Sequence, residues 1–211
     1  MSEISNNRER LTMKIVVIGA PGTIGRAVVA ALAPRHEIIE VAKSRGALTV
    51  DTSDFASVRD LFSKIGTFNA VVTAAGNAHF GPFATMTPDE FRVGLNDKLM
   101  GQINVVLAAR DLISSGGSFT LTSGSLSDEP VRGGADASTV NAAIDGFVRA
   151  AAIEMPRGVR INSVSPTVLA ESWSVYGPFF AGCEPVPAKR VALAYVRSIE
   201  GAATGQTYRI W

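Results

Sequence analysis

KIVVIGAPGTIGRAVVA, residues 14–30, joins an apolar run to a glycine-rich turn and then to a helical pattern. Residues 15–18 are long enough for one buried strand, and apolar residues after the turn recur at helical spacing. In this context a glycine turn binds a dinucleotide, because glycines permit a tight turn and a close approach of the backbone to a diphosphate. The start of the helix then offers unpaired N–H groups to the phosphates. The alternative is a glycine-rich turn in another kind of α/β protein.

The composition is typical of a folded chain of ordinary charge. The 211 residues are 46% hydrophobic and 18% charged, which suits one α/β domain with a sizeable core. The net charge of +1 gives no electrostatic basis for binding nucleic acid or an anionic membrane. The single cysteine, Cys183, excludes an internal disulfide, provides no paired thiols for a metal and fits a reducing compartment. We therefore expect a cytoplasmic protein without a metal site.

Residues 1–12 are polar and lack the apolar segment of a secretory signal, and no apolar run in the chain reaches membrane-spanning length. We expect these twelve residues to form a flexible tail before a single NAD(P)-binding domain over residues 13–211. Strands and helices alternate along this domain, which predicts a Rossmann-like, doubly wound parallel sheet of about seven strands with helices on both faces. After the first strand and helix, strands are expected at Glu37–Val41 and at residues 48–50, 68–74, 117–123, 160–164 and 206–210. Helices are expected up to Ile65 from a cap at Asp54, over residues 98–113, and over Ala135–Glu154 and Ala188–Glu200.

The residues after the second predicted strand indicate which dinucleotide is bound. No carboxylate stands there to bind the ribose 2′-hydroxyl of NAD, and Lys43, Ser44 and Arg45 follow instead. Two cations and a hydroxyl suit a 2′-phosphate, so the sequence favours NADP(H) over NAD(H). The alternative is a solvated basic turn without a ligand.

Motifs along nearly the whole length from residue 14 resemble those of the short-chain dehydrogenase/reductase family. They are the first glycine turn, Asp51 after the third predicted strand, Ala-Ala-Gly at 74–76, residues 117–125, the stretch PRGVRINSVSP at 156–166, and Thr-Gly-Gln at 204–206. The central glycine of the turn is at position 22, a spacing that is similar to that of atypical members of the family. The resemblance implies cofactor contacts from Gly19, Pro21, Gly22, Thr23, Ile24, Gly25, Lys43, Ser44, Arg45, Asp51, Thr52, Ala74, Ala75, Gly76, Asn141 and Pro166.

The family's catalytic residues are absent from their usual positions. In the family a tyrosine donates a proton to the substrate carbonyl, a lysine four residues later lowers its pKa and holds the ribose, a serine orients the carbonyl, and an asparagine supports a water relay. Here Ala137 stands where the tyrosine belongs and Asn141 where the lysine belongs. The serine position falls on Gly124, which has a serine on either side, and the asparagine position falls on Lys98. The chain is therefore most similar to a small bacterial subgroup that lacks the usual residues.

Replacement chemistry has several candidates. Lys98 is a cation near the expected site, and desolvation would lower its pKa enough to make it a proton donor. His79 follows the fourth predicted strand, and histidine exchanges protons near neutral pH. Hydrogen bonds to a carbonyl or to the ribose are available from Ser123, Ser125 and Asn141. The alternatives are that Lys98 caps carbonyl groups or pairs with an aspartate, and that His79 is a surface loop residue.

Three functions from different classes remain open at this point, the third being a structural homo-oligomer with a vestigial site. The first is an NADP(H)-dependent oxidoreductase that acts on a small carbonyl or alcohol with a non-standard proton donor. The second is a non-catalytic module that binds NADP(H) and acts as a redox sensor or binds a partner. The aromatic segment after residue 168 closes over the substrate in the family, and Tyr176 could place a phenol there. The resemblance also implies a homodimer or homotetramer formed through the helices over residues 98–113 and Ala135–Glu154.

Overall fold

The alternating apolar segments form one parallel sheet in the computed structural model, which describes residues 12–211. Within this range the sheet has six strands in the order β2-β1-β3-β4-β5-β6. They are β1 (Lys14–Ile18), β2 (Glu37–Val41), β3 (Phe68–Thr73), β4 (Ile113–Thr122), β5 (Arg160–Pro166) and β6 (Thr207–Ile210). The chain reverses its direction of travel across the sheet between β1 and β3, which is the point where such sheets bind ligands.

Seven α-helices connect the strands in residues 12–211. They are α1 (Thr23–Leu32), α2 (Phe55–Ile65), α3 (Pro88–Gly94), α4 (Gly101–Ala109), α5 (Ala135–Glu154), α6 (Trp173–Tyr176) and α7 (Ala188–Glu200). Asp54 caps α2 by accepting a hydrogen bond from the Ala56 N–H, as its sequence context predicts. Thr87 and Glu90 form a capping box at the start of α3.

Alternation along the strands sends side chains to two separate cores. On one face Val16 and its neighbours pack against α2, α4 and α5, with Phe62 and Ile144 fully buried. On the other face Ile15 and Val17 pack against α1 and α7, where Tyr195 is fully buried. A sheet that is covered on both faces leaves its carboxyl edge as the place where loops and helix ends can form a site.

The expectation of about seven strands is wrong, and six is correct for the described residues. Residues 48–50, expected to form a strand, make a single bridge from Thr49 to Ala42 instead. The bridge consists of two hydrogen bonds, from the Ala42 N–H to the Leu48 carbonyl and from the Val50 N–H to the Ala42 carbonyl. The segment is too short to continue the ladder beyond β2. Residues 1–11 of the expected tail lie outside the described residues.

The helix expected over residues 98–113 is divided differently. A π-helical segment, Leu95–Met100, lies between α3 and α4, and β4 already begins at Ile113. The wider π-helical turn changes the direction of side chains relative to an α-helix, and such turns are frequent at functional sites. Lys98 lies in this segment.

The close packing of α1 against the turn that precedes it depends on Gly25. A Cβ atom at this position would lie 2.1 Å from the Gly19 carbonyl oxygen and 2.8 Å from the Ala20 Cα. Both are backbone atoms of the preceding turn, so neither can move without shifting the turn itself. We therefore expect Gly25→Ala to lower the free energy of unfolding by about 1–3 kcal/mol, measured by urea denaturation.

Ala30→Leu is the matched control for this substitution. Ala30 is exposed on the same helix, and leucine there adds three carbon atoms where alanine at Gly25 adds one. We expect a change in unfolding free energy within about 0.5 kcal/mol. Equal effects of the two substitutions would contradict the importance of the close approach at Gly25.

Candidate functional site

Two depressions lie side by side at the carboxyl edge of the sheet. The larger has a volume of about 280 Å³ and is bordered by the ends of β3, β4 and β5 and by the π-helical segment. The smaller, of about 80 Å³, is lined by Gly19, Lys43 and Thr52 among others. Both are lined by residues 75–77, so they are neighbours along one edge.

The start of α1 lies between these depressions, since Ile24 lines the larger and Gly19 the smaller. Gly22 is the N-cap residue of α1 and has no side chain that could occupy this place. The N–H groups of a first helical turn have no partners within the helix and attract an anion. The arrangement therefore fits a dinucleotide, with its diphosphate at the start of α1 and one end in each depression.

Gly76 brings the end of β3 against the π-helical segment. Its φ of +119° is one that glycine adopts readily, and a Cβ atom there would lie 2.7 Å from the Lys98 Cα. The backbone contact fixes where the Lys98 side chain begins. Residues with a larger side chain at 76 would push the lysine away from the cavity.

Lys98 reaches across the larger cavity to the opposite wall. Its Nζ donates to Asn141 Oδ1 at 2.6 Å and to the Ser123 carbonyl oxygen at 3.2 Å. Burial lowers the pKa of Lys98 from its ordinary value of 10.5 to about 8, although the negative charges of Asp145 and Asp136 act in the opposite direction. An amine with this pKa can give up or take up a proton near neutral pH.

Ser123 and Asn141 form the wall that faces Lys98. The Ser123 Oγ is buried and has no hydrogen-bond partner in the described part of the chain, and Ser123 is among the residues that line the cavity. A Cβ atom at Gly124 would lie 2.8 Å from Asn141 Nδ2, so the amide occupies the space that a serine at 124 would need. Ser125, at the start of a short 3₁₀ turn, also lines the cavity.

The smaller depression carries one cation and one carboxylate. Lys43 Nζ lies 3.7 Å from Asp97 Oδ1, and Lys43 is mostly exposed. The other Asp97 oxygen accepts from the backbone N–H of Asn77 at 3.1 Å and from its Nδ2 at 2.6 Å. Asp51 is held by Ser53, whose hydroxyl and N–H groups donate to its carboxylate and lower the pKa of Asp51.

His79 lies apart from the other candidates and does not line the larger cavity. Its backbone N–H donates to Asp136 Oδ2 at 2.6 Å, and its Nε2 lies 3.9 Å from Glu90 Oε1. Asp136 also accepts from the Gly94 N–H at 3.0 Å, so this buried carboxylate ties the loop after β3 to α3. The side chain of His79 therefore faces α3 and not the space beside Lys98.

The end of the cavity beyond Lys98 is apolar. Ala137, at the family's tyrosine position, is buried there in a cluster with Leu126, Val168 and Phe180. Tyr176 also lines the cavity, and its ring packs on Phe80 with the ring centroids 5.5 Å apart. Tyr176, whose phenol the aromatic segment could place in the site, is therefore a lining residue of the cavity.

A buried polar group beneath the cavity was missed by sequence reasoning. The Gln102 Oε1 accepts from the N–H of Thr122 and from the hydroxyl of Thr73, and its Nε2 donates to the Thr122 carbonyl. The Tyr195 hydroxyl lies 2.6 Å from the hydroxyl of Thr122, and burial raises the pKa of Tyr195 far above its usual range. Only the topology brings these residues together, because they come from two strands and two helices that are distant in sequence.

The predicted site residues thus divide by location. Those that line the larger cavity are Ile24, Ala74, Ala75, Gly76, Lys98, Ser123, Ser125, Asn141 and Pro166. The smaller depression takes Gly19, Lys43 and Thr52 with Ala75 and Gly76, and a third depression beside β2 takes Pro21 and Arg45. Outside all three lie Gly22, Thr23, Gly25, Ser44, Asp51 and His79.

Comparison with known families agrees with this geometry. A family model described as enoyl-(acyl carrier protein) reductase matches residues 22–178, which is most of the chain. The chain belongs to the short-chain dehydrogenase/reductase family. An L-xylulose reductase of this family from Mesocricetus auratus is 27% identical over 177 residues, covering 75% of this chain and 72% of its own.

Solved structures share the fold. The protein lin1944 from Listeria innocua is 44% identical with a TM-score of 0.93, covering 95% of this chain and all of its own. A small-chain dehydrogenase in complex with NADPH is 24% identical with a TM-score of 0.85, covering 95% of this chain and 97% of its own.

Residues 12–211 contain no cluster of metal-ligating side chains and no membrane-spanning helix. No group of three or more His, Cys, Asp or Glu side chains in this range is arranged to hold a metal ion. None of the helices in the same range has the length and apolar character that crossing a bilayer requires.

The depressed pKa of Lys98 predicts how stability depends on pH. Between about pH 8 and pH 10.5 the unfolded chain holds a proton at Lys98 that the folded chain has released. The free energy of unfolding therefore receives a contribution from Lys98 that rises with pH across this window. In Lys98→Met this contribution disappears, so the unfolding free energy of the wild type minus that of the variant should increase from pH 8 to pH 10.5. Urea denaturation at half-unit pH intervals measures it, and a difference that does not vary with pH would contradict the assignment.

Proposed function

We propose that the chain is an NADP(H)-dependent reductase of small carbonyl compounds, in which the Lys98 ammonium replaces the tyrosine phenol as proton donor. The observation that carries the proposal is the placement of Lys98. Its amine lies in the larger cavity, its pKa is about 8, and the unpartnered Ser123 hydroxyl lies on the wall it faces. A carbonyl oxygen between these two groups would accept from both.

Support for the cofactor comes from the two depressions and from relatives. The start of α1 and the backbone of residues 74–76 would hold the diphosphate and the nicotinamide end, and Lys43 and Arg45 would meet the 2′-phosphate. When bound, the cofactor would supply the hydride to the carbonyl carbon. The relative that is an L-xylulose reductase and the neighbour that is in complex with NADPH favour this interpretation.

The chain's own residues would then divide the remaining work. Ser123 donates to the carbonyl oxygen and orients it. Lys98 polarises the same oxygen and releases its proton as negative charge develops there, which its lowered pKa favours. Asn141 accepts from Lys98 at 2.6 Å and holds the ammonium in place without competing for its charge.

A second candidate function rests on the hydrogen bonds that Lys98 already makes. Because Nζ donates to Asn141 and to the Ser123 carbonyl, it could serve only to join the π-helical segment to α5. The protein would then bind NADP(H) without turnover and act as a sensor or partner-binding module. Turnover by Lys98 variants separates this function from the first.

We further propose a two-fold oligomer through the helices that the family uses for this purpose. Met100, just before α4, and Leu107, within α4, have exposed side chains. Ile153 is exposed near the end of α5. Apolar side chains left exposed on these helices are of the kind that such interfaces bury.

Lys98→Met should lower kcat for carbonyl reduction by about 10²–10⁴-fold while the protein still binds NADPH. The wild-type rate should fall as pH rises through about 8, because the protonated amine is the donor. NADPH oxidation across pH 6–10 with a panel of aldehydes and ketones measures both effects. Lys98→Arg should lose as much, because its charge is kept but its guanidinium does not release a proton.

Tyr176→Phe is the matched control, since it removes the phenol that lines the cavity and keeps the ring. We expect it to retain most of the turnover. Loss of activity in Tyr176→Phe with activity kept in Lys98→Met would assign the proton to the phenol. Tight NADPH binding without turnover on any substrate would favour the second candidate function.

Lys43→Ala should weaken NADPH binding by about tenfold and leave NADH binding unchanged, because only the former carries a 2′-phosphate for the ammonium to meet. Calorimetric titration of both cofactors measures this difference. Lys189→Ala, at an exposed lysine in the first turn of α7 that lines none of the three depressions, removes the same charge and should affect neither. Equal weakening for both cofactors would remove Lys43 from the 2′-phosphate site.

A further inference from the structure

The larger cavity has two chemically different ends. At one end lie the amine of Lys98, the hydroxyl of Ser123 and the amide of Asn141. At the other end lie hydrocarbon side chains that also pack on one another as a separate buried cluster: Leu126, Ala137, Val168 and Phe180, with Ala78 and Phe80 against them. All four core members of this cluster are at most 6% exposed.

No carboxylate or guanidinium lines this cavity among the described residues, where Lys98 is the charged one. Asp136 is a buried carboxylate that directly precedes Ala137 in the chain. It accepts hydrogen bonds from the backbone N–H groups of His79 and Gly94, which do not line the cavity. The apolar end therefore has no charged side chain with which to bind the hydroxyl groups of a sugar. The cavity lining also includes the hydroxyl-bearing residues Thr167, Ser172 and Tyr176. A hydroxyl placed among Leu126, Ala137, Val168 and Phe180 would leave water without gaining an equal partner there, whereas a hydrocarbon group would gain from burial.

Phe80 limits the apolar end. Its ring packs on Tyr176 at 5.5 Å and on Phe179 at 5.3 Å between centroids. It also lines a second, larger groove of about 1090 Å³, bordered by Phe83, Val131 and Phe179. The larger cavity of the candidate site and this apolar groove thus share one lining residue, Phe80.

We propose that the substrate is a small aldehyde or ketone with a hydrocarbon substituent, and that Phe80 determines how long this substituent can be. The inference rests on the proposed function, because the polar end is taken to hold the carbonyl oxygen. The substituent occupies the space between Ala137, Val168 and Phe180. Polyhydroxylated carbonyl compounds, such as the sugar that names the L-xylulose reductases, are poor ligands of this cavity.

Binding of unbranched alkanamides from four to ten carbons to the NADPH-loaded protein tests the inference without turnover. An amide carbonyl accepts the same hydrogen bonds as an aldehyde but is not reduced by hydride. In calorimetric titrations we expect affinity to rise with chain length, then to level off or fall once the substituent reaches Phe80. L-xylulose should bind about 100-fold more weakly than the best alkanamide.

Phe80→Ala should move the best chain length upward by several carbons, because the cavity then opens into the groove. Phe80→Leu should move it by less, and it provides the test if the alanine variant does not fold. Phe83→Ala is the matched control: Phe83 is 76% exposed in the groove and does not line the cavity, so the best length should not change.

The inference is overturned if L-xylulose binds as well as the alkanamides, if no alkanamide binds, or if Phe80→Ala keeps the wild-type length preference. Turnover is assayed in parallel with n-alkanals and with L-xylulose. Reduction of the sugar but not of the alkanals would refute the substrate class and leave the reductase function standing. Alkanamide binding that follows Phe80, with no reduction of any carbonyl, would refute the reductase function and leave the ligand class standing.

Discussion

Helix α1 lies so close to the turn after β1 that one added carbon at Gly25 would overlap the Gly19 carbonyl oxygen. This contact fixes the first helical turn at the carboxyl edge of the sheet, between the two depressions. The same crowding recurs at Gly76, where the backbone after β3 touches the Lys98 Cα. Backbone packing, rather than any particular side chain, therefore sets the distance between the start of α1 and the backbone of Lys98.

Lys98 and Asn141 carry the residue types of two family positions in exchanged places. The family resemblance places a lysine on α5 and an asparagine on the segment before α4, and this chain has the reverse. The two side chains meet at 2.6 Å, so an amine is still present in the cavity but approaches from the opposite wall. Its burial without a hydrogen-bonded carboxylate lowers the pKa of Lys98, which the exchange alone would not do.

Segments with strong periodicity were predictable from sequence, and local geometry was not. The bounds of β2, α5 and α7 agree with the predicted ones because each has a regular pattern and clear ends. Residues 48–50 have the composition of a strand, yet form only the bridge at Thr49 because the segment is too short for a ladder. The π-helical turn at Leu95–Met100 could not be predicted, since its residues would equally suit an α-helix. That Lys98 lies at the cavity followed from family resemblance, whereas its bond to Asn141 required the fold.

Ala137 has two consequences that act together. It removes the phenol that the family uses as acid, and it adds a methyl group to the apolar cluster with Leu126 and Val168. The wall that has lost its proton donor thereby becomes a surface for hydrocarbon, while the polar groups of Lys98, Ser123 and Asn141 lie at the other end of the cavity. In the proposed reaction a carbonyl compound would be oriented by both ends of the cavity at once, because its oxygen would be attracted to one and its substituent buried against the other. Loss of the usual acid thus leaves a cavity with a defined polarity, which suits the proposed reaction at a carbonyl group.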